Sequence, residues 1–231
     1  GPALDTVREW FVDTVDGARI GVVNMAPLAA VGAALGIVIR ILTSTGFTQK
    51  LTFEIISLSG ESLLIVLLLV MFASILFGLG MPTPAAYLVV AVLTAPIVTA
   101  LGVGDLTAHL FVFYFALLSA LTPPVALACA VGAGIAEANF YETAREALRI
   151  GFFLFLIPFI FVYNPELIAW NGVRTVVTFG VMILGLTSII IGFIGYQPGS
   201  SIRAARRGAY VVAGLAITFV PVYAAKVGLA V

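Results

Sequence analysis

Between Glu61 and Asp105 the chain runs for 43 residues without one charged side chain. As a helix that run would extend about 65 Å, roughly twice the hydrocarbon core of a bilayer. Further runs free of Asp, Glu, Lys and Arg cover 20–39, 106–136, 150–165, 175–202 and 208–225. A spanning helix needs about 20 mostly apolar residues, so these runs point to lipid-embedded helix. Composition agrees, with 62% hydrophobic and 10% charged residues and a mean hydropathy of +1.20; soluble domains average about half apolar and a quarter charged. Strict alternation with regular turn signals is absent, which argues against a membrane barrel. The chain reads as an all-α polytopic membrane protein.

Several function classes fall away at once. Eleven basic and eleven acidic side chains cancel, leaving none of the basic surface a nucleic-acid binder needs. One cysteine, Cys129, rules out a disulfide framework or a multi-cysteine metal site, and one histidine, His109, rules out sites needing several imidazoles. An intramembrane enzyme would normally need a buried Asp, Glu or Lys, and the uncharged runs offer none; HExxH and GxSxG stretches are absent too. His109, four residues after Asp105, is read as structural, Cys129 as a small core residue, and the phenylalanines of 152–161 as lipid-facing. No catalytic residue and no cofactor is expected. The first twenty residues carry Asp5, Glu9, Asp13 and Asp16 with no apolar core ahead of them, unlike a signal peptide. The start at Gly1-Pro2 rather than methionine suggests a fragment or a processed chain.

Along the chain, residues 1–20 place Val7, Trp10, Phe11 and Val15 at helical spacing. An interfacial amphipathic helix with Trp10 at headgroup level fits, as does a soluble connector. A first span follows at 21–42, with Gly32 and Gly36, like Gly17 and Gly21, at the spacing that lets helices approach closely. Residues 43–61 are polar, and 137–149 form a charged loop or surface helix whose Glu137, Glu142, Arg145, Glu146 and Arg149 read as a solvated face. A span is expected at 150–168, and two more helices in 169–231, near 175–196 and 208–229.

The two central runs are interrupted. The midpoint of 62–104 falls inside Gly80-Met81-Pro82-Thr83-Pro84, a pentapeptide that stops a helix. Two full spans joined by a turn fit 62–101, and so does a re-entrant hairpin with its tip at mid-membrane. The run 106–136 breaks at Thr122-Pro123-Pro124, leaving pieces too short for two spans, so 105–136 reads as one crossing made of two half-helices. Thr83 before Pro84 and Thr122 before Pro123 look like N-caps followed by proline at the first helical position. Each break would then expose carbonyls suited to a hard cation such as sodium, and amides suited to an anion. Such pairings hold ions and anionic solutes in secondary transporters, although glycine–proline breaks also occur in channels and in purely structural modules. With Arg8, Arg19, Arg145, Arg149, Arg203, Arg206 and Arg207 inside and Arg40, Lys50, Arg174 and Lys226 outside, the charge bias fits this topology. An inverted chain with two crossings in 106–136 gives the same split.

The stretches GLGMPTPAAYLVVAVLTAPIVTALGV (78–103), HLFVFYFALLSALTPPVALACAVGAGIAEANF (109–140) and LRIGFFLFLIPFIFVYNPELI (148–168) closely resemble the large membrane subunit of TRAP, tripartite ATP-independent periplasmic, transporters. The likeness covers roughly 8–168 and is greatest to permeases that fuse the small and large membrane subunits. It implies a sodium-coupled symporter of a prokaryotic inner membrane, taking up organic acids from a periplasmic binding protein and working as an elevator. The fold it implies is a C-terminal inverted-repeat half with a re-entrant helical hairpin and a broken transmembrane helix. By motif, Gly80 to Pro84 would be the hairpin tip and Thr122 to Pro124 the unwound centre. Sodium and an organic anion would sit between them, touching Met81, Pro82, Pro84, Pro123 and Pro124. Thr83 and Thr122 are the sodium-ligand candidates, with backbone oxygens around Gly78, Gly80, Ala120 and Leu121. The N-terminal repeat and the small-subunit region would be partners missing from this sequence.

Overall fold

The computed structural model describes residues 2–60, 62–197, 200–201 and 204–226. Glu61, Arg203 and the end of the last expected span, 227–229, lie outside the described residues. The regular structure of the described chain is helical apart from one two-residue antiparallel ladder that pairs Tyr196 with Ser201 and Gln197 with Ser200. It divides into two units, Gly1–Phe47 and Thr48–Val231.

The first unit is essentially one helix, α1 (Pro2–Ser44), with Pro27 inside it. The stretches 1–20 and 21–42 are continuous within it. From Trp10 to Ser44 it is long and apolar enough to cross a membrane. Because the unit holds a single helix, the pairs Gly17/Gly21 and Gly32/Gly36 meet no second helix inside it.

All of α2 (Phe47–Ser59) but its first residue belongs to the second unit. Its centre is a sheaf of three consecutive helices, α3 (Leu63–Gly78), α4 (Thr83–Thr99) and α5 (Asp105–Leu118), each in contact with the other two. At 16, 17 and 14 residues they span about 21 to 26 Å, short of a bilayer core of about 30 Å. Val66, Leu67 and Val70 of α3, Val90 and Ile97 of α4, and Phe111 and Phe115 of α5 are fully buried. Lipid tails are as apolar as these side chains, so shape fit and polar pairing hold such a sheaf together more than the hydrophobic effect. One polar pair is conspicuous. The buried hydroxyls of Ser74 and Thr94 lie 3.2 Å apart, and Thr94 also donates to the Val90 carbonyl at 2.8 Å. That contact joins the two arms of the α3–α4 hairpin.

After α6 (Leu127–Ile135), the chain re-enters helix where Asn139 supplies a cap. Its side-chain oxygen accepts from the amides of Tyr141 and Glu142 at 2.9 and 3.3 Å. Helix α7 (Phe140–Gly151) carries Glu142 in its first turn and Arg149 in its last, complementing the helix dipole at both ends. It continues through a 3₁₀ turn (Phe152–Phe155) into α8 (Ile157–Tyr163). Together Phe140–Tyr163 is long and apolar enough to cross a membrane. The phenylalanines of 152–161 are not all lipid-facing. Phe159 is buried, edge-on to Phe111 at 5.3 Å and to Phe115 at 5.9 Å, because α8 packs against α5 and aromatic edges fit aromatic faces there.

The last described elements are α9 (Val173–Ile194), also long and apolar enough to cross, and α10 (Ala204–Lys226). They form the most extensive helix pair in the unit. A Cβ placed on Gly192 would come within 2.6 Å of Val211 Cγ2 and 2.8 Å of the Arg207 carbonyl. One on Gly214 would come within 2.7 Å of the Gly185 carbonyl. The small-residue contact that the sequence suggested for the N-terminal glycines is thus made at the C-terminal ones.

Candidate ion and solute site

Both interruptions are present. Helix α3 ends at Gly78 and the chain turns through Gly80, whose φ of +75° suits glycine, before α4 begins at Thr83. Helix α5 ends at Leu118, and α6 begins only at Leu127. The intervening loop contains the cis Pro123–Pro124 bond, and the buried Ala126 at φ +39° and ψ +54°.

The two interruptions touch. A Cβ on Gly78 would lie 2.7 Å from Ser119 Oγ and 3.5 Å from Ala116 Cα, and one on Gly80 would lie 3.8 Å from Val125 Cγ1. Only glycine lets the end of α3 approach the end of α5 so closely. Both are C-terminal ends, each equivalent to roughly half a negative charge, and the positive N-terminal ends of α4 and α6 follow within the same two interruptions.

The polar groups at the junction divide into committed and uncommitted ones. Ala120 O accepts from Ala128 N at 3.0 Å, tying the loop to the start of α6. Leu121 O receives the weak Cys129 Sγ contact at 3.7 Å. Gly78 O accepts from Met81 N at 3.4 Å. By contrast, no donor among the described residues reaches the carbonyls of Leu79, Gly80 and Met81, nor those of Pro123, Pro124 and Val125. The half-buried Thr83 hydroxyl makes no hydrogen bond among the described residues. Thr122 donates its hydroxyl proton to Leu118 O at 2.8 Å, which leaves the oxygen lone pairs as acceptors.

The N-cap expectation needs correcting at both threonines. Pro82 holds the cap position of α4, with Thr83 already helical and no side-chain cap. Thr122 caps nothing ahead of it. It bonds back to the end of α5, and Ala126 holds the cap position of α6. At Thr122 the physical reason is that a residue before proline is disfavoured in the α region. Thr122 and Pro123 both precede prolines, so a helix restart is disfavoured there.

Sequence reasoning missed Ser119. It is buried, donates to Ala116 O at 2.6 Å and forms the wall that Gly78 meets; no local pattern links positions so far apart. His109 Nδ1 shares a hydrogen bond with the Tyr87 hydroxyl at 3.0 Å on an exposed face. Cys129 is buried beside Ala126 and Ala144. No group of three or more His, Cys, Asp or Glu side chains suited to a metal occurs among the described residues. A cavity of about 260 Å³ lies at the opposite end of the sheaf, lined by Leu63, Leu101, Gly104, Thr107 and Tyr163 among others. None of the candidate site residues lines it.

Three helices long and apolar enough to cross a membrane among the described residues, with further short apolar helices, define a multi-pass α-helical membrane protein. The family model described as tripartite ATP-independent periplasmic transporter, DctM component, matches residues 4–176. The chain belongs to that family, and thus to a TRAP-type secondary transporter rather than to an enzyme family. The family brings with it a periplasmic binding protein and a small membrane subunit as partners. No curated protein and no solved structure matches the chain.

Proposed function

We propose that this chain forms the ion- and solute-holding part of a sodium-coupled symporter. The permease takes up carboxylate-bearing organic solutes across a prokaryotic inner membrane, delivered by the periplasmic binding protein. It works together with the N-terminal repeat and the small-subunit region. The observation that carries this reading is the convergence of the α3 and α5 C-terminal ends at Gly78 and Ser119. Unpaired carbonyls at 79–81 and 123–125, with the hydroxyls of Thr83 and Thr122, give oxygen-only ligands beside two negative helix ends, which suits a hard cation such as sodium. The positive ends of α4 and α6 stand at the same junction and suit the solute carboxylate. Arms shorter than a bilayer core favour a re-entrant α3–α4 hairpin over two complete spans.

The test is uptake of labelled organic acids into vesicles holding the complete permease. Uptake should require both a sodium gradient and the binding protein. Ion current without solute movement would instead mark a channel, and uptake indifferent to sodium would remove the cation from the junction.

A further inference from the structure

Glu166 is the last acidic side chain in the sequence. Residues 167–231 contain Arg174, Arg203, Arg206, Arg207 and Lys226 and no Asp or Glu. Where α9 ends, two arginines are already committed to backbone. Arg207 donates from Nε to Gly192 O at 3.0 Å and from Nη2 to Phe193 O at 2.8 Å, and Arg149 of α7 donates from Nη2 to Ile194 O at 3.2 Å. Arg149 also pairs with Glu146 at 3.2 Å, on an exposed surface. Arg206 has no carboxylate partner and donates no hydrogen bond among the described residues.

That uncommitted guanidinium stands on the rim of a groove of about 430 Å³, lined also by Ser188, Ala209, Tyr210 and Ala213. Positions 206, 209, 210 and 213 share one face of α10. Charge therefore sits at one end of the groove, with Ala209, Tyr210 and Ala213 following it for about 10 Å along the helix. The Ser188 hydroxyl is turned onto the Tyr210 carbonyl at 2.8 Å, so beneath Arg206 the trough is mainly apolar, bounded by Ala209, Tyr210 and Ala213. A free small anion would gain nothing from that trough. A zwitterionic lipid would bring its own cation close to Arg206 and Arg207. We infer that the α9–α10 groove holds an acidic phospholipid, its phosphate on Arg206 and the upper part of one acyl chain along Ala209 and Ala213. Guanidinium groups match phosphate oxygens in a two-pronged geometry, and basic pockets between membrane helices select acidic headgroups.

Native mass spectrometry of the full chain in detergent tests this, with phosphatidylglycerol, phosphatidylcholine and glycerol 3-phosphate as probes. One phosphatidylglycerol per chain should survive delipidation, with phosphatidylcholine retained about tenfold less and glycerol 3-phosphate not at all. Arg206→Gln should lower phosphatidylglycerol retention by about tenfold, whereas Arg174→Gln, at the other end of α9, should leave it unchanged. Ala213→Leu, which fills the trough and keeps the charge, should also release the lipid, and it decides the matter if the Arg206 variant fails to fold. Equal retention of phosphatidylcholine, equal loss in the Arg174 variant, firm binding of glycerol 3-phosphate, or no effect of Ala213→Leu would each overturn the inference.

Discussion

The α3–α6 junction and the α9–α10 pair use the same device and finish it differently. In both, glycines bring helix backbones into direct contact: Gly78 against Ser119 in the first, Gly192 and Gly214 against the facing helix in the second. At the end of α9 the orphan carbonyls are met. Arg207 and Arg149 donate to three of them, and Gly195, at φ +74°, closes the helix with its amide on Ile191 O. At the junction, the carbonyls of 79–81 and 123–125 are left without donors among the described residues. The two regions thus differ in whether their helix-end carbonyls are answered within the described chain, and the proposed ion site rests on that contrast.

The comparison breaks if the open set turns out to be inert. Thr83→Ala and, separately, Thr122→Ala in the complete permease should abolish sodium-driven uptake without lowering membrane insertion; unchanged sodium dependence in both would detach these hydroxyls from the site. Next in size, Gly78→Ala should slow uptake by about a hundredfold, because misplacing groups by about an ångström costs that much in a positioned site. The pair Gly78→Ala with Ser119→Gly should recover most of it, measured in the same vesicles. In the C-terminal pair the expected effects are on stability alone. Gly214→Val should destabilise the fold by about 3 kcal/mol through overpacking against Ile189 and Gly185, read as a lower thermal midpoint in detergent, with the sodium dependence of the surviving protein intact. Arg207→Ala should cost about 2 kcal/mol, the worth of its charge-assisted bonds to Gly192 and Phe193. A sodium effect in either C-terminal variant would erase the distinction between the two regions.

Much of this was legible in the sequence because lipid imposes a simple rule on charge. The uncharged runs located the α3–α4 helix pair, the interrupted helical stretch 105–136 and the C-terminal helices, and Gly80 to Pro84 and Thr122 to Pro124 located the two breaks. Finer features escaped because their causes are not local. The N-cap reading of Thr122 took Pro123 as the first helical residue without weighing Pro124, which disfavours the α region at Pro123. The charged stretch 137–149 concealed a helix start that depends on one residue, Asn139. The role of Phe159 is set by α5, over forty residues away, and the glycines that meet a partner helix look no different in sequence from those of α1. Ser119 carries no signal of its own; its part is defined by the absence of a side chain at Gly78.

That last contact carries a hereditary corollary. Two positions separated by forty links of chain share a single allotment of space, so neither can change size alone. Among diverged copies of this gene, a bulkier residue at 78 should survive selection only alongside a smaller one at 119, and the two columns should drift as one.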